Sequence, residues 1–332
     1  MNYRKFGRLG WDVSEIGFGA WALGGGAWAT QSDDDSLAAL HKALDMGVNL
    51  IDTAAGYGNG RSERIIAQAL KARGSNIGGG SERVYLVTKT PPAPGTWPPA
   101  PHDDVSVRYP DAYIRANLEE RLRNLGTDCL DVLLLHTWTR AWNRDPRPLE
   151  TLRALKQEGK IRAFGISTAE HDQDQLTPLM AAGQIDVIQI IYNIFDQHPA
   201  AEALPVALES GTGVMCRVVF DEGSLTGKFT AETTFPTDDF RNRYFAGDRL
   251  ARTVARVEKV RADVEGSGYT MPQAAIRFAL AHPAISTVIP GMRNPAQAEA
   301  NASVSDLPPM TAELEARLRK HIWTRGNWYH GK

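Results

Sequence analysis

Apolar residues along this chain come in two rhythms. Short β-rich runs fill residues 13–19, 48–52, 84–89, 130–136, 161–167, 187–190, 213–218 and 286–290. Runs of that length and composition predict strands. Between the runs, apolar positions recur every three or four residues. That spacing predicts helices over 32–47, 61–74, 111–126, 148–159 and 271–282. The first of these opens on Ser32 followed by acidic residues and closes on Gly47, which supplies a cap at each end. Strand then helix, repeated, is the pattern of βα units on a parallel sheet. Eight such strands predict an α/β fold of the (β/α)8 TIM-barrel type, as one domain over residues 1–332. An open doubly wound sheet is the competing architecture. It wants G-x-G-x-x-G after an early strand, and the glycines at 24–26 open no obvious helix.

Two segments interrupt the rhythm. Residues 91–110, rich in proline, follow the third strand, and residues 220–249 follow the seventh. Both belong on the face where barrel strands end, which is where barrel enzymes keep their active sites. Neither is of low complexity, so both read as ordered loops that shape a pocket. The first 17 residues read as a hairpin with its turn near Arg8 to Gly10, plugging the opposite end.

Composition narrows the function classes. With 332 residues, 42% hydrophobic, 23% charged and a net charge of −2, the chain fits a soluble globular protein with a sizeable core. The balanced charge gives no footprint for nucleic acid or an anionic membrane. No apolar run approaches the ~18 residues of a membrane span. The N-terminus lacks the basic region and apolar core of a signal peptide, so a cytoplasmic location is expected. Cys129 and Cys216 lie beside strand runs and read as free thiols in a reducing cytosol. No paired Cys/His spacing points to zinc. The oligomeric state is left open.

Chemistry enters at three strand ends. Asp52, Lys89 and His136 each close a successive predicted strand. Neighbouring strands lie about 4.8 Å apart, so three adjacent ends can bring these side chains together if all point inward. Alternation supports that: Val48 and Leu50 share the parity of Asp52, Tyr85 and Val87 that of Lys89, and Val132 and Leu134 that of His136. Tyr57 follows Asp52 in a glycine-punctuated loop. Singly, each residue has an ordinary reading: a helix cap, a packing ring, a solvated strand end, a structural histidine. Their joint occurrence on three consecutive strands is what singles them out.

Beyond these residues the chain resembles the aldo-keto reductases. The resemblance is borne by IDTAAGYGNGRSE (51–63), VTKT (87–90), LLLH (133–136), GIS (165–167), QIIYN (189–193), LTGK (225–228) and IPGMRNPAQAEAN (289–301). It runs from about Lys5 to the C-terminus and is closest to the bacterial sugar/inositol-operon type of oxidoreductase. It implies an NAD(P)H-dependent enzyme that interconverts carbonyls and alcohols, with Asp52, Tyr57, Lys89 and His136 as its catalytic tetrad. Tyr57 is then the proton donor. Lys89 lowers a phenol pKa that is ordinarily near 10, and Asp52 holds Lys89. His136 donates a hydrogen bond to the carbonyl oxygen.

The resemblance also implies cofactor contacts. Ser167 and Gln189 match residues that hold the nicotinamide carboxamide, while Thr168 stands where the family has asparagine. Arg217 replaces a stacking aromatic, and a planar guanidinium can also stack. Val218 and Val219 replace a Ser-Pro pair, leaving the amides of Phe220, Gly223 and Leu225 for the pyrophosphate, with Lys228 nearby. After Pro290 and Gly291 a helix N-terminus follows, where Arg293 can grip a 2′-phosphate. Gln297 and Asn301 match adenine contacts. Ala300 stands where a glutamate is usual, and Glu299 is displaced by one position. NADPH is therefore expected over NADH.

For substrate, Trp21, Trp28, Trp97, Trp138 and Trp142 fall on the predicted active face. Such aromatic walls suit a small carbonyl compound or a sugar or polyol. Trp323 or Trp328 joins the rim or docks on the barrel. Two other classes compete. A metal-dependent barrel hydrolase or isomerase wants several converging His and carboxylate ligands, and of eight histidines only His136 is so placed. A cofactor-binding module with little turnover would not need the intact tetrad.

Overall fold

The computed structural model describes residues 1–26, 28, 31–74 and 83–323. Strands β1 (Tyr3–Lys5) and β2 (Asp12–Ser14) pair antiparallel, Tyr3 opposite Ser14. Eight parallel strands follow in chain order: β3 (Phe18–Gly19), β4 (Leu50–Asp52), β5 (Tyr85–Thr90), β6 (Leu130–Leu135), β7 (Ile161–Ser167), β8 (Val187–Ile191), β9 (Gly213–Arg217) and β10 (Thr287–Val288). The ring closes through parallel bridges from Ile16 to Val288 and from Gly19 to Gly291. This is the (β/α)8 barrel.

Around it lie helices α1 (Asp33–Asp45), α2 (Arg61–Ala72), α3 (Val105–Arg108), α4 (Asp111–Leu125), α5 (Arg147–Gln157) and α6 (Thr177–Ala181). The second half adds α7 (Ala203–Ser210), α8 (Arg241–Tyr244), α9 (Arg249–Val264), α10 (Met271–Ala281), α11 (Pro295–Ala302) and α12 (Ala312–Arg319). Local chemistry sets their ends. The Ser32 hydroxyl accepts the Asp35 amide at 3.0 Å, and the three aspartates of that first turn sit at the positive end of α1. Gly126, with φ of 66°, ends α4 in the left-handed conformation.

Two expectations change. The run over 13–19 is not one strand: Asp12–Ser14 belongs to the hairpin and Phe18–Gly19 to the barrel. Helix α9 was not read from the sequence, because its buried face is mostly valine set among arginines, and valine is a weak helix former.

The barrel interior holds Leu50, Tyr85, Val87, Val132, Leu134, Ala163, Val187, Met215 and Ile289, capped below by Phe6 and Val13 of the hairpin. Trp11 stacks on Tyr85 with ring centroids 5.1 Å apart, which completes the plug. Val48 lies outside this layer, packed with the helices. The remaining interior positions share one parity on every strand, so the next inward residue at each upper end is predictable. That parity delivers Asp52, Lys89, His136, Ser167, Gln189 and Arg217 to the same mouth. Both cysteines are free. No described helix is long and apolar enough to cross a membrane.

Candidate active site

The upper mouth opens into a cavity of about 970 Å³ lined by the ends of the barrel strands and the loops that follow them. Its base is a buried hydrogen-bonded cluster. Lys89 is fully buried, and its Nζ donates to Asp52 Oδ1 at 2.8 Å, Asp52 Oδ2 at 2.7 Å and the Thr53 carbonyl oxygen at 2.8 Å. The same Nζ lies 3.5 Å from the Tyr57 hydroxyl, at the outer edge of hydrogen-bonding range. Gln189 Nε2 donates to Asp52 Oδ1 at 2.8 Å, and the Ser167 hydroxyl donates to Gln189 Oε1 at 3.4 Å. One network thus spans β4, β5, β7 and β8.

Tyr57 is placed by its loop. The backbones of residues 57–58 and 24 run in direct contact. A Cβ on Gly58 would collide with the Gly24 carbonyl oxygen, and one on Gly24 would lie 2.6 Å from the Tyr57 carbonyl carbon. Gly58 also has φ of 64°, a conformation that side chains rarely adopt. Both positions need glycine for the Tyr57 ring to turn over the mouth. His136 completes the group, its ring edge-on to Tyr57 at 6.0 Å and to Trp97 at 5.5 Å.

Burial dominates the electrostatics. It pushes the Tyr57 phenol above its ordinary pKa, while Lys89 pulls the other way without overcoming it. The net direction is therefore opposite to the lowering expected from Lys89 alone. Tyr57 keeps its proton at neutral pH, and the ammonium beside it eases the charge left when that proton is given away. Burial also raises the Asp52 carboxyl, against Lys89 and the Gln189 hydrogen bond. Burial first, then the charges of Lys89 and Arg217, hold His136 well below its ordinary pKa. A neutral imidazole with one N–H can orient a carbonyl oxygen. A weak acid, a cation beside it and a neutral donor facing one cavity can protonate an oxygen on which negative charge develops.

The walls only partly match expectation. Trp21 lies 6.2 Å from Tyr57, Trp28 stands edge-on to Trp21 at 5.5 Å, and all three line the cavity. Trp97 also lines it and is 59% exposed, so it stands at the rim. Trp138 and Trp142 do not line it. Both are buried, with Trp138 Nε1 donating to Asn143 Oδ1 at 2.8 Å and Trp142 Nε1 to the Asp103 carbonyl oxygen at 2.7 Å. They pack with Tyr109 as the core of the fourth loop, where each indole N–H finds an internal partner. Trp323 docks on the barrel against Phe195, and Trp328 lies outside the described residues. Sequence reasoning missed Phe240 and Arg241. Phe240 packs on Trp21 at 5.0 Å, and the Arg241 guanidinium covers Trp28 at 4.6 Å. The only signal for them was the length of the insertion that holds them.

The cofactor candidates divide similarly. Ser167, Gln189, Arg217, Phe220, Gly223, Lys228, Pro290, Gly291, Arg293, Gln297 and Asn301 all line the cavity. Thr168 lines it too, but its hydroxyl turns away to Gln173 Oε1 at 2.6 Å. Leu225 is buried and outside the lining, and the amides of both Leu225 and Gly223 donate to the Phe220 carbonyl oxygen at 3.0 Å. Two of the three amides expected to face a pyrophosphate are thus committed internally. Helix α11 offers less than expected as well. Pro295 has no N–H, and the Gln297 amide is taken by Asn294 Oδ1 at 2.9 Å. The Arg293 side chain is the cation at this helix start. Its Nε donates to Gln31 Oε1 at 3.3 Å, a partner 262 positions away that no local pattern announces. A second recess of about 340 Å³ adjoins at Arg293 and Gln297 and is lined also by Gln31, Ser32 and Asp35. Glu299 points away, paired with Lys42 at 3.3 Å.

These features fit a nicotinamide dinucleotide. The cavity has the upper range of ligand-site volumes, roughly 300–1,000 Å³. Arg217 Nε is buried in it without a hydrogen-bond partner. A Cβ on Gly56 or Gly291 would meet only open space. Among the described residues, no three His, Cys, Asp or Glu side chains cluster to hold a metal ion.

The family model described as the aldo/keto reductase family matches residues 15–322. The aldo-keto reductase YhdN of Bacillus subtilis (strain 168) is 30% identical over 92% of this chain and 89% of its own. The NADH-specific methylglyoxal reductase of Escherichia coli (strain K12) is 28% identical, over 89% of this chain and 90% of its own. An aldo-keto reductase of Bacillus halodurans in its holo form superposes with a TM-score of 0.74 at 25% identity, covering 97% of this chain and 96% of that one.

Proposed function

The chain belongs to the aldo/keto reductase family, an NAD(P)H-dependent oxidoreductase family of carbonyls and alcohols, and from that premise we propose how its own residues do the work. The observation that carries the reading is Lys89 Nζ, bonded to Asp52 at 2.7 Å and 3.5 Å from the Tyr57 hydroxyl inside the cavity. A reduced nicotinamide, when bound on the cavity floor, supplies the hydride. Ser167 and Gln189 would hold its carboxamide end, and Arg217 would lie beside the ring. The small-molecule substrate, an aldehyde, ketone or sugar, enters past Trp21, Trp28 and Trp97. His136 donates a hydrogen bond to the carbonyl oxygen. Tyr57 gives that oxygen its proton, and Lys89, fixed by Asp52, stabilises the phenolate that remains. The reverse sequence oxidises an alcohol.

NADPH is the cofactor we infer, read by the Arg293 guanidinium at the adenosine end. Asp35 lines the recess beside it and opposes a phosphate there, and the E. coli relative named above is NADH-specific. The free thiols Cys129 and Cys216 suit a reducing compartment, and we infer the cytoplasm.

Oxidation of NADPH, followed across aldehydes, ketones and sugars, tests the activity. Replacing Tyr57→Phe tests the mechanism. A positioned general acid contributes roughly 10²–10⁴-fold, so kcat falls by that factor while cofactor Kd stays within about twofold. A variant that reduces an aldehyde at near wild-type rate defeats the assignment.

A further inference from the structure

Several charged side chains line the cavity, and one of them, Arg217, acts on the catalytic cluster at its base. Asp52 and Lys89 neutralise each other at 2.7 Å. Arg217, at the upper end of β9, has no carboxylate at ion-pair distance among the described residues. Its Nη2 donates to a neutral acceptor, the Thr168 carbonyl oxygen, at 3.0 Å. Its Nε is buried with no partner. A guanidinium remains charged under all conditions in which a protein folds. The field of this one reaches Asp52, Tyr57 and His136.

The two redox forms of a nicotinamide cofactor differ by one unit of charge, and the difference sits on the ring. The oxidised ring is a cation and the reduced ring is neutral; the phosphates are the same in both. A fixed cation beside the ring therefore repels one form and is indifferent to the other. The aromatic walls and the buried floor keep that repulsion from being screened as it would be in water.

We propose that Arg217 makes this site hold reduced cofactor more tightly than oxidised cofactor. The inference rests on the reading above that the nicotinamide ring lies beside Ser167, Gln189 and Arg217. When a carbonyl is reduced, its carbon receives the hydride and its oxygen receives the Tyr57 proton. The cofactor is left one positive charge higher beside Arg217. Spent cofactor is then pushed out, and in many enzymes product release limits turnover. In the direction of alcohol oxidation, the same charge pulls the on-enzyme equilibrium toward carbonyl and reduced cofactor.

The experiment is a set of equilibrium titrations of NADPH and NADP+ on wild type, Arg217→Met, Arg217→Gln and Arg217→Lys at one pH and ionic strength. The readout is the ratio of Kd for the oxidised form to Kd for the reduced form, in which all phosphate contacts cancel. Arg217→Met and Arg217→Gln lower that ratio about tenfold or more, chiefly by tightening NADP+. Arg217→Lys keeps the charge and changes it less than about threefold. Arg217→Gln retains a donor for the Thr168 carbonyl and serves should the methionine variant not fold. Equal weakening of both forms, or an unchanged ratio in a folded variant, overturns the proposal and makes Arg217 a structural residue. Wild type that binds neither form overturns the reading of the site itself, which is a separate result.

Discussion

The two ends of the barrel treat buried charge in opposite ways. At the lower end the buried carboxylates Glu15, Asp131 and Asp186 each have several partners. Glu15 accepts from Arg4 at 2.9 Å and from Ser305 at 2.9 Å, with Arg277 at 3.5 Å. Asp131 pairs with Arg83 and accepts the Leu86 amide at 2.9 Å. Asp186 pairs with Lys156 at 2.8 Å and accepts the Phe164 amide at 3.2 Å. Hairpin rings then seal the opening. At the upper end the Asp52–Lys89 pair is equally tight, but around it stand a protonated phenol, a neutral imidazole and an uncompensated guanidinium, all facing a cavity. The lower end is packed and closed, while the upper end opens into the cavity. The backbone shows the same division. Val218, Asp221 and Glu222, in the loop after β9, have φ of 56°, 47° and 55°, unusual for side chains and most costly for a β-branched valine.

The sharpest way to break this comparison is to remove one carboxylate from the sealed end. Asp131→Ala leaves Arg83 and the Leu86 amide without their partner. Breaking a buried pair costs about 3–5 kcal/mol, and the partial exposure of Arg83 puts this case near about 3 kcal/mol. Denaturant unfolding shows that loss, while kcat per folded molecule stays within about twofold of wild type. Tyr57→Phe is the mirror image, with activity lost and stability kept. If Asp131→Ala lowers kcat as much as it lowers stability, the two ends are not separable in function.

A smaller effect sharpens the account of the cofactor's far end. Arg293→Ala removes the cation we assign to the 2′-phosphate. A charge-assisted hydrogen bond contributes about 1.5–3 kcal/mol, so NADPH weakens by roughly tenfold or more. NADH, which lacks that phosphate, changes little. Dissociation constants for both cofactors decide it. Equal weakening of both, or no change in either, makes Arg293 a bystander and leaves Lys228 as the next cation along the cavity.

How much of this was legible follows the same division. Most strands were plain as short β-rich runs, the exception being 13–19, which divides between hairpin and barrel. Helices with marked ends, such as α1 behind Ser32 and α4 before Gly126, were plain as well. The meeting of Asp52, Lys89 and His136 at one mouth was legible because period-two alternation carries inward parity from Leu50 to Asp52 and from Val87 to Lys89. Trp138 and Trp142 were misjudged because a tryptophan on the right loop looks the same whether it walls a pocket or anchors the loop. What separates the cases is an internal acceptor for the indole N–H, and such pairings are tertiary facts. The Gln31–Arg293 contact, the commitment of the Gly223 and Leu225 amides to Phe220, and the closure of Phe240 over Trp21 belong to that class. Strand ends are governed by local geometry, whereas the loops that complete the cavity are governed by contacts between distant segments.

The smallest effect concerns pH and tests the claim that burial, with the charges of Lys89 and Arg217, keeps His136 neutral. His136 sits among Tyr57, Trp97, Lys89 and Arg217, and its pKa is held well below the ordinary value of 6.5. In the unfolded chain it titrates normally. Between those two values the unfolded state binds a proton that the folded state refuses, so folding stability falls as pH drops below about 6.5. The slope from this one group cannot exceed about 1.4 kcal/mol per pH unit. His136→Gln keeps a donor at the site and abolishes the titration. The stability difference between wild type and His136→Gln should therefore be flat above about pH 7 and move against wild type from pH 6.5 toward 5. Other groups that titrate in this range, His282 among them, are common to both proteins and cancel in the difference. Urea unfolding at half-unit steps of pH measures it. A difference that stays flat down to pH 5 means that His136 accepts its proton in the folded protein as easily as in water, and the upper end would then take on positive charge freely.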